Sequence, residues 1–533
     1  MKKAKTLIAL LLAVCLVAAL LAACAKTESE TPASPSTDKT DTTPSTSDNT
    51  GKPEKPDEPE VNEPVDEEPT DIVVILYDMR SRGEYGGPIA DKANELTKDA
   101  INVVAEYRWI TPGDWTTSVE VALAAGERFD VVNLNPYSKI NKVYPQGMVM
   151  DITDYIDEYA PGAYEATKDY INCYTFGGRI YGFPTIRNYC RNEYILMRTD
   201  VLKDLGLVEK AENIKSWSEF NEILEEVNQK VTKVDGSMYP IGISQPAMSS
   251  DFVIDQDEFD KIYTVDNLGD SLEVLTADRD GKVSFYQDSP TYRFALETCQ
   301  NWWDKGYQWP DSEFTTQFTD EVMKGGVMFS MVCGSETGVK ATKEANFGFE
   351  ITVVHVATGC IKTSQPIFSG MCVPITCEEP EASLKWINML YTSKELMNLL
   401  VWGIEGEDWH EEDGQVVRDN EDGYMNVDFV LGNNTLLVPI MGNGSDFYDV
   451  VLKTNEIADK SRFLGFVIDT GDLSLIMSQV SACKDEYSKS LLYGGYTPER
   501  LEEYKSKLEV AGVQDYIAEI QKQLDAWIAE TGN

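Results

Sequence analysis

The sequence predicts an α/β protein in which mainly parallel sheets are covered by helices on both faces. Two observations carry that expectation. From residue 71 onward short β-branched runs alternate with helical stretches, the pattern of successive crossover units. At 42% hydrophobic and 10% aromatic, with 37 Gly and 23 Pro in 533 residues, the chain is too apolar for wholesale disorder and too poor in glycine and proline for a fibrous repeat. At ~150 residues per domain, roughly three domains fit.

The elements follow in order. Ile72, Val73, Val74, Ile75, Leu76 and Tyr77 form a β-branched run that reads as a buried strand. After the turn at Gly86 and Gly87, Pro88 opens a helix over 89–100. A strand over 102–110, a helix over 114–125 and, past Gly126, a strand over 129–134 complete the first alternation. The segment from Arg179 to Pro184 reads as an extended crossover, followed by a strand over 194–197 and a helix over 200–205. Ser216 with Glu219 three residues later is a capping box for a helix whose Phe220, Ile223, Leu224 and Val227 fall on one face. Further on, helices are expected over 291–303 and 384–390, a strand over 347–356 and a helix start within 392–395. The chain ends in two helices, 498–510 and 514–530, the second with Ile517, Ile520, Leu524 and Ile528 on one stripe.

The first residues read as an address. Lys2, Lys3 and Lys5 precede an apolar stretch over 6–23 that ends in Leu21, Ala22, Ala23 and Cys24. A basic region, an apolar region and small residues before a processing point make a secretory signal. The ending is similar to the lipobox of bacterial lipoproteins, and the resemblance implies that Cys24 is acylated and becomes the mature N-terminus. Residues 25–70 then hold eight Pro, fourteen Ser or Thr and thirteen acidic side chains with no aromatic. Such a stretch buries too little apolar surface to fold, so residues 24–70 are expected to be a lipidated, self-repelling tether spanning about 35–40 Å or more. The expected location is the outer face of the cytoplasmic membrane, at a cell surface of Gram-positive type.

Charge and composition exclude several functions. With 46 basic against 90 acidic side chains the net charge is −44, which repels nucleic acid and anionic surfaces. The only histidines are His355 in an apolar run and His410 in a charged loop, so a Ser-His-Asp or Cys-His machine lacks a natural base. Eight cysteines besides Cys15 and Cys24 include no C-x-x-C pair, which disfavours zinc; they read as buried small hydrophobes, with one or two disulfides open. Asp255, Asp257 and Asp260, and the run Asp278, Arg279, Asp280, Gly281, do not supply the spacing of an EF-hand calcium loop. Neither a metal nor a cofactor is expected. Paired carboxylates for glycoside hydrolysis occur by chance among so many acids, and no spacing singles out two.

The order of segments resembles that of the extracellular solute-binding proteins of ABC importers, family 1, sugar-type lipoproteins. The residues that carry it are WTTSVEVALAAGERFD from Trp115, GRIYGFP from Gly178, MRTDVLKDL from Met197, the Trp217 to Phe220 helix start, MKGGVM from Met323, LLVWGIEGE from Leu399 and QKQLDAW from Gln521. The resemblance implies a two-lobed periplasmic-binding-protein-like fold of type II, with lobe one over 71–187 plus 350–405 and lobe two over 192–349 plus 406–533, joined by a hinge. It also implies a monomer that captures a small carbohydrate or oligosaccharide without chemistry and delivers it to permease subunits. The competing readings are a secreted glycoside hydrolase and a surface adhesin.

Parallel sheets bind ligands beyond the carboxyl ends of their strands. A sugar there needs flat aromatic surfaces beside hydrogen-bonding side chains. Tyr77, Asp78 and Arg80 past the first strand are the leading candidates, with a capping turn and ion pair as the plain alternative. Asn135 and Tyr137 past the third strand come next. Trp109 and Trp115 bracket the second strand's exit, although either also suits a core. Tyr181 and Asn188 at the crossover, Ser369 before the return to lobe one, and Trp402 with Glu405 complete the set.

Overall fold

A strand rich in Val and Ile is buried on both faces only when helices cover both sides, and the first strand meets that condition: Ile72, Val74, Ile75 and Leu76 are all buried. The structure is a computed structural model describing residues 68–532 apart from 82, 191, 233–238, 244–251, 254–257, 260–262, 309–325, 334–339, 341–343, 345–347 and 421. The signal, most of the tether, and Asp255, Asp257 and Asp260 lie outside the described residues. None of the described helices is long and apolar enough to cross a membrane.

In chain order the main strands are β1 (Thr70–Tyr77), β2 (Val103–Ile110), β3 (Val131–Leu134), β4 (Phe183–Pro184), β5 (Asn192–Arg198), β6 (Tyr239–Ile243), β7 (Gly326–Cys333), β8 (Ile351–Ala357) and β9 (Gly370–Cys372). The first sheet is five-stranded in the order β2-β1-β3-β9-β4, the second four-stranded in the order β8-β5-β7-β6. In the first, only β9 runs against the rest; in the second, only β5 does. The fold is thus the expected α/β arrangement of two mainly parallel sheets.

Local chemistry sets the element ends. Helix α1 (Gly86–Ile101) stops at Asn102, which takes the left-handed conformation at φ 55° that asparagine tolerates. On α1, Asn94 donates to the Ala105 carbonyl at 3.0 Å and accepts from the Ala105 N–H at 2.7 Å, covering the open edge of β2. The capping box forms: Glu219 N–H donates to Ser216 Oγ at 3.1 Å, and Lys215 N–H donates to Glu219 Oε2 at 2.6 Å, opening α2 (Trp217–Val227).

Asp130 shows how the first sheet is tied to its cover. Its buried carboxylate accepts from Val73 N–H at 2.8 Å and Glu378 N–H at 2.9 Å, and pairs with Arg128 at 3.0 Å. Burial alone raises its pKa, but the donors outweigh it and hold the group below the ordinary carboxylate range. Asp130→Asn replaces one acceptor by a donor facing a backbone N–H, and is expected to cost about 2–3 kcal/mol in urea unfolding at neutral pH. Because the folded pKa is depressed, the carboxylate's contribution is complete above the unfolded pKa and is lost as pH falls through the folded one. The variant's deficit should therefore shrink in acid.

One core collects both faces of the first sheet, and a second surrounds the second sheet with α2. Helix α3 (Pro290–Asp304) gives Ala295 and Trp302 to that second core and Tyr292 and Leu296 to a third, built with the C-terminal helices α6 (Ser474–Leu492), α7 (Pro498–Val510) and α8 (Val513–Thr531). The first core's cover is α4 (Pro380–Thr392) and α5 (Lys394–Trp402), the latter capped by Ser393, whose Oγ accepts from Leu396 N–H at 3.2 Å.

Among the described residues, three stretches of chain run between the first core and the other two, near 185–190, 358–365 and 458–463. Ile361 and residues 459–461 exchange two backbone hydrogen bonds of 2.8 Å, Tyr189 N–H donates to Asn455 Oδ1 at 3.0 Å, and Gly359 N–H donates to Asn192 Oδ1 at 2.8 Å. Two boundaries differ from the sequence expectation. Residues 351–357 form β8, paired with β5 in the second sheet, so the return to the first lobe falls after 357 and not at 350. Residues 406–457 do not belong with the second lobe: Trp409, Val416, Tyr424, Leu437 and Tyr448 pack into the first core. The turn after α5 imitates a crossing, but Tyr424 OH donates back to Leu400 O at 2.7 Å and Trp409 Nε1 to Gly403 O at 3.0 Å, holding the chain where it was.

Candidate ligand-binding site

The carboxyl ends of β1, β2 and β3 bring together many of the expected residues, but most are turned inward. Tyr77 is 3% exposed; its ring lies 5.5 Å from Trp115 and 6.2 Å from Tyr137, and burial pushes its hydroxyl up to about 12. Asp78 is buried and accepts from Gly83 N–H at 2.6 Å, closing the turn after β1. Its capping role is therefore the observed one. Trp109 stacks on Tyr107 at 5.7 Å and donates to Tyr424 OH at 3.1 Å. Its ring needs the bare backbone of Gly86, where a Cβ would come within 2.6 Å.

Of the residues expected to touch ligand, Trp115, Asn135, Ser369 and Trp402 are buried, Tyr181 is half-buried and Glu405 is exposed. Trp115 is fully buried and donates to Ser138 Oγ at 2.7 Å. Asn135 is fully buried, accepting from Tyr137 N–H at 2.9 Å and donating to Asn133 O at 3.3 Å. Ser369 Oγ donates to Phe429 O at 3.0 Å, and Trp402 Nε1 to Val438 O at 3.1 Å. Tyr181 packs at 4.7 Å from Tyr144 and 5.9 Å from Phe176. Glu405 is exposed but borders a depression shared with Lys92 and Glu95 of α1, away from the strand ends. Trp115, Asn135, Ser369 and Trp402 serve the framework behind the strand ends, because each polar group a side chain carries into a core must find an internal partner. Asn135→Ala is accordingly expected to lower stability by about 1–3 kcal/mol in denaturant unfolding, with little change in ligand affinity per folded molecule.

What remains at the surface is Tyr137, 44% exposed, with the exposed Arg80 and the half-buried Asn188, whose Oδ1 is buried without a hydrogen-bond partner among the described residues. The structure adds a group that the sequence reading passed over. Arg187 lies 4.7 Å from the Phe368 ring centroid and Lys139 Nζ lies 5.8 Å from it, while Phe429 packs at 6.3 Å. Arg187 donates to Gln365 O at 3.2 Å. Burial lowers the pKa of Lys139, the neighbouring Arg187 lowers it further, and Glu273 opposes both. Glu273, at φ 55°, lies between Leu272 and Val274 of the third core, so the second lobe faces this cluster. Asp428 is raised by burial, accepts from Tyr448 OH at 3.2 Å, and feels Arg80. Arg187 is adjacent to Asn188 and Phe368 to Ser369, both of which the sequence reading named.

Other features of the sequence resolve plainly. Asp278 accepts from Asp280 N–H at 3.0 Å and Lys282 N–H at 2.9 Å, closing a hairpin turn between Leu275–Ala277 and Val283–Phe285. Seven cysteines among the described residues are free, four of them buried. Trp302 is core, donating to Asn221 Oδ1 at 2.6 Å, and Trp303 lies against Gly494.

Comparison with known proteins agrees with this architecture. The sequence model of a family described as bacterial extracellular solute-binding protein matches residues 89–402, more than half of the chain, and a domain of unknown function matches 462–529, across the C-terminal helices. A carbohydrate ABC transporter substrate-binding protein of Streptococcus pneumoniae is 23% identical over 86% of this chain and 91% of its own length. The crystal structure of the N-glycan transport solute binding protein from Streptococcus pneumoniae superposes with a TM-score of 0.72 at 19% identity, covering 87% of this chain and all of that one. The same protein in complex with Man1GlcNAc gives 0.66 at 18% identity over 86% of this chain and 100% of that one. The shared fold is the two-lobed type II arrangement.

Proposed function

Since this chain belongs to the bacterial extracellular solute-binding proteins, we propose that it is the receptor of an ABC importer, capturing a carbohydrate between its lobes and passing it to the permease. The observation that carries the reading is the cluster of aromatic and charged side chains past the strand ends of the first sheet, with Glu273 of the second lobe in electrostatic reach of Lys139. Relatives of similar length whose names specify carbohydrate or N-glycan support the solute class. The lobes move about the three crossings as two bodies, residues 68–184 with 366–457 and residues 192–357 with 464–532. Ligand shifts the open and closed populations by its differential affinity for them, and no bond is broken. Titration calorimetry against a panel of oligosaccharides, with the sugar recovered afterwards, tests this. Saturable binding with the sugar intact is expected; turnover, or no binding to any glycan, contradicts it.

Cys24 carries the acyl anchor in this proposal, and residues 25–70 hold a monomeric receptor above the outer face of the membrane. Labelling cells with a palmitate analogue is expected to mark the wild-type chain. Cys24→Ser should lose the label and appear in the medium.

A further inference from the structure

We propose that Cys190 and Cys360 are a site of disulfide formation, a bond that pins the first crossing between the lobes to the second. This goes beyond the receptor reading and takes from it only the export of the chain into a compartment where such bonds persist. Cys190 ends the crossing near 185–190, and Cys360 lies in the one near 358–365. The antiparallel ladder of β5 and β8 leads to both. Its last pair sets Ala357 opposite Glu193, and the same register carried three residues further along each strand sets Cys360 opposite Cys190. Directly opposed residues of such a pair have Cα atoms about 4.5–5.5 Å apart, within the span a disulfide bridges.

Contacts past the ladder keep the two stretches together. Gly359 N–H donates to Asn192 Oδ1 at 2.8 Å, and Cys190 Sγ donates to Gly359 O at 3.3 Å. Covalent geometry holds that carbonyl oxygen about 2.8 Å from the Cys360 Cα, so the Cys190 sulfur is at most about 6 Å from it. Burial pushes the Cys190 thiol up to about 11, and the neighbour that raises it next is Cys360. Cys190 is buried, whereas Cys360 is half-buried and lines a depression of about 330 Å³ with Lys460 and Ser461. Cys360 is therefore the sulfur that an oxidant reaches first. The step balances with an organic disulfide in that role. The Cys360 thiolate attacks one of its sulfurs and expels a thiol; the Cys190 thiolate then attacks the Cys360 sulfur of the mixed disulfide and expels the second. The cysteine sulfurs give up two electrons to the organic disulfide, and their two protons leave on the released thiols. The new bond closes residues 191–359 into one loop, and long loops gain most from closure.

The test is a peptide map of the full chain, equilibrated with oxidised and reduced glutathione, unfolded in an alkylating agent and digested without reductant. The expected result is a crosslinked pair of peptides carrying Cys190 and Cys360, absent after reduction and absent from Cys360→Ala, where Cys190 is alkylated instead. Reduction should lower the melting temperature of the wild-type chain by about 3 °C or more and leave that of Cys360→Ala within about 1 °C. Both cysteines alkylated in the oxidised wild-type chain overturns the inference. So does Cys190 linked to Cys173, which shares the surroundings of Tyr170 with it. Glycan titration of the same sample reports on the receptor reading separately: a crosslinked chain that binds no glycan removes that reading and keeps this inference.

Discussion

Trp115→Ala is expected to destabilise the chain by about 3–5 kcal/mol in denaturant unfolding, among the largest losses available from a single side chain. The indole is fully buried, edge-on to Tyr77 at 5.5 Å, and its Nε1 donates to Ser138 Oγ at 2.7 Å. Ser138 in turn donates to Glu120 Oε1 at 2.6 Å. Truncation thus opens a cavity beneath the strand ends and leaves the Ser138 hydroxyl short of a partner. Trp115→Phe keeps most of the volume and loses the donor, so it should cost about 1–2 kcal/mol. If Trp115 lined the site instead, alanine would reduce affinity and spare stability.

Phe368→Ala should do the reverse, weakening solute binding by about 30-fold or more with a small change in stability. The ring is half-buried, packs against Phe429 at 6.3 Å and underlies both Arg187 and Lys139. Without it the two cations lose their common support, and the cost appears when a ligand must order them again. Calorimetry on the variant checks this. Unchanged affinity would place the site elsewhere.

What the sequence disclosed, and what it hid, follows from the range of the interactions concerned. The capping box at Ser216 and Glu219, the run over 72–77 and the terminal helices are local patterns and fall within a few residues of their observed bounds. Strand β9 spans three residues and exists because Gly370 lets the Phe183 carbonyl and the Tyr174 hydroxyl approach to where a Cβ would sit. Nothing local announces such a strand. Which sheet claims 351–357, and which core claims 406–457, is likewise settled by partners far away in the chain, such as Asn426 donating to Tyr77 O at 3.0 Å. The proposed site was legible as a region and not as residues. Aromatic and amide side chains at strand ends are equally suited to core and cleft, and burial turned Trp115, Asn135 and Trp402 inward.

The central claim is that two lobes close over a carbohydrate that leaves unaltered. Solution scattering from the chain with and without a saturating glycan tests it most directly. The account predicts a smaller radius of gyration and a shorter maximum dimension in the bound form, reversed when the sugar is washed out. Identical scattering curves at saturation, with binding verified in the same sample, would contradict it.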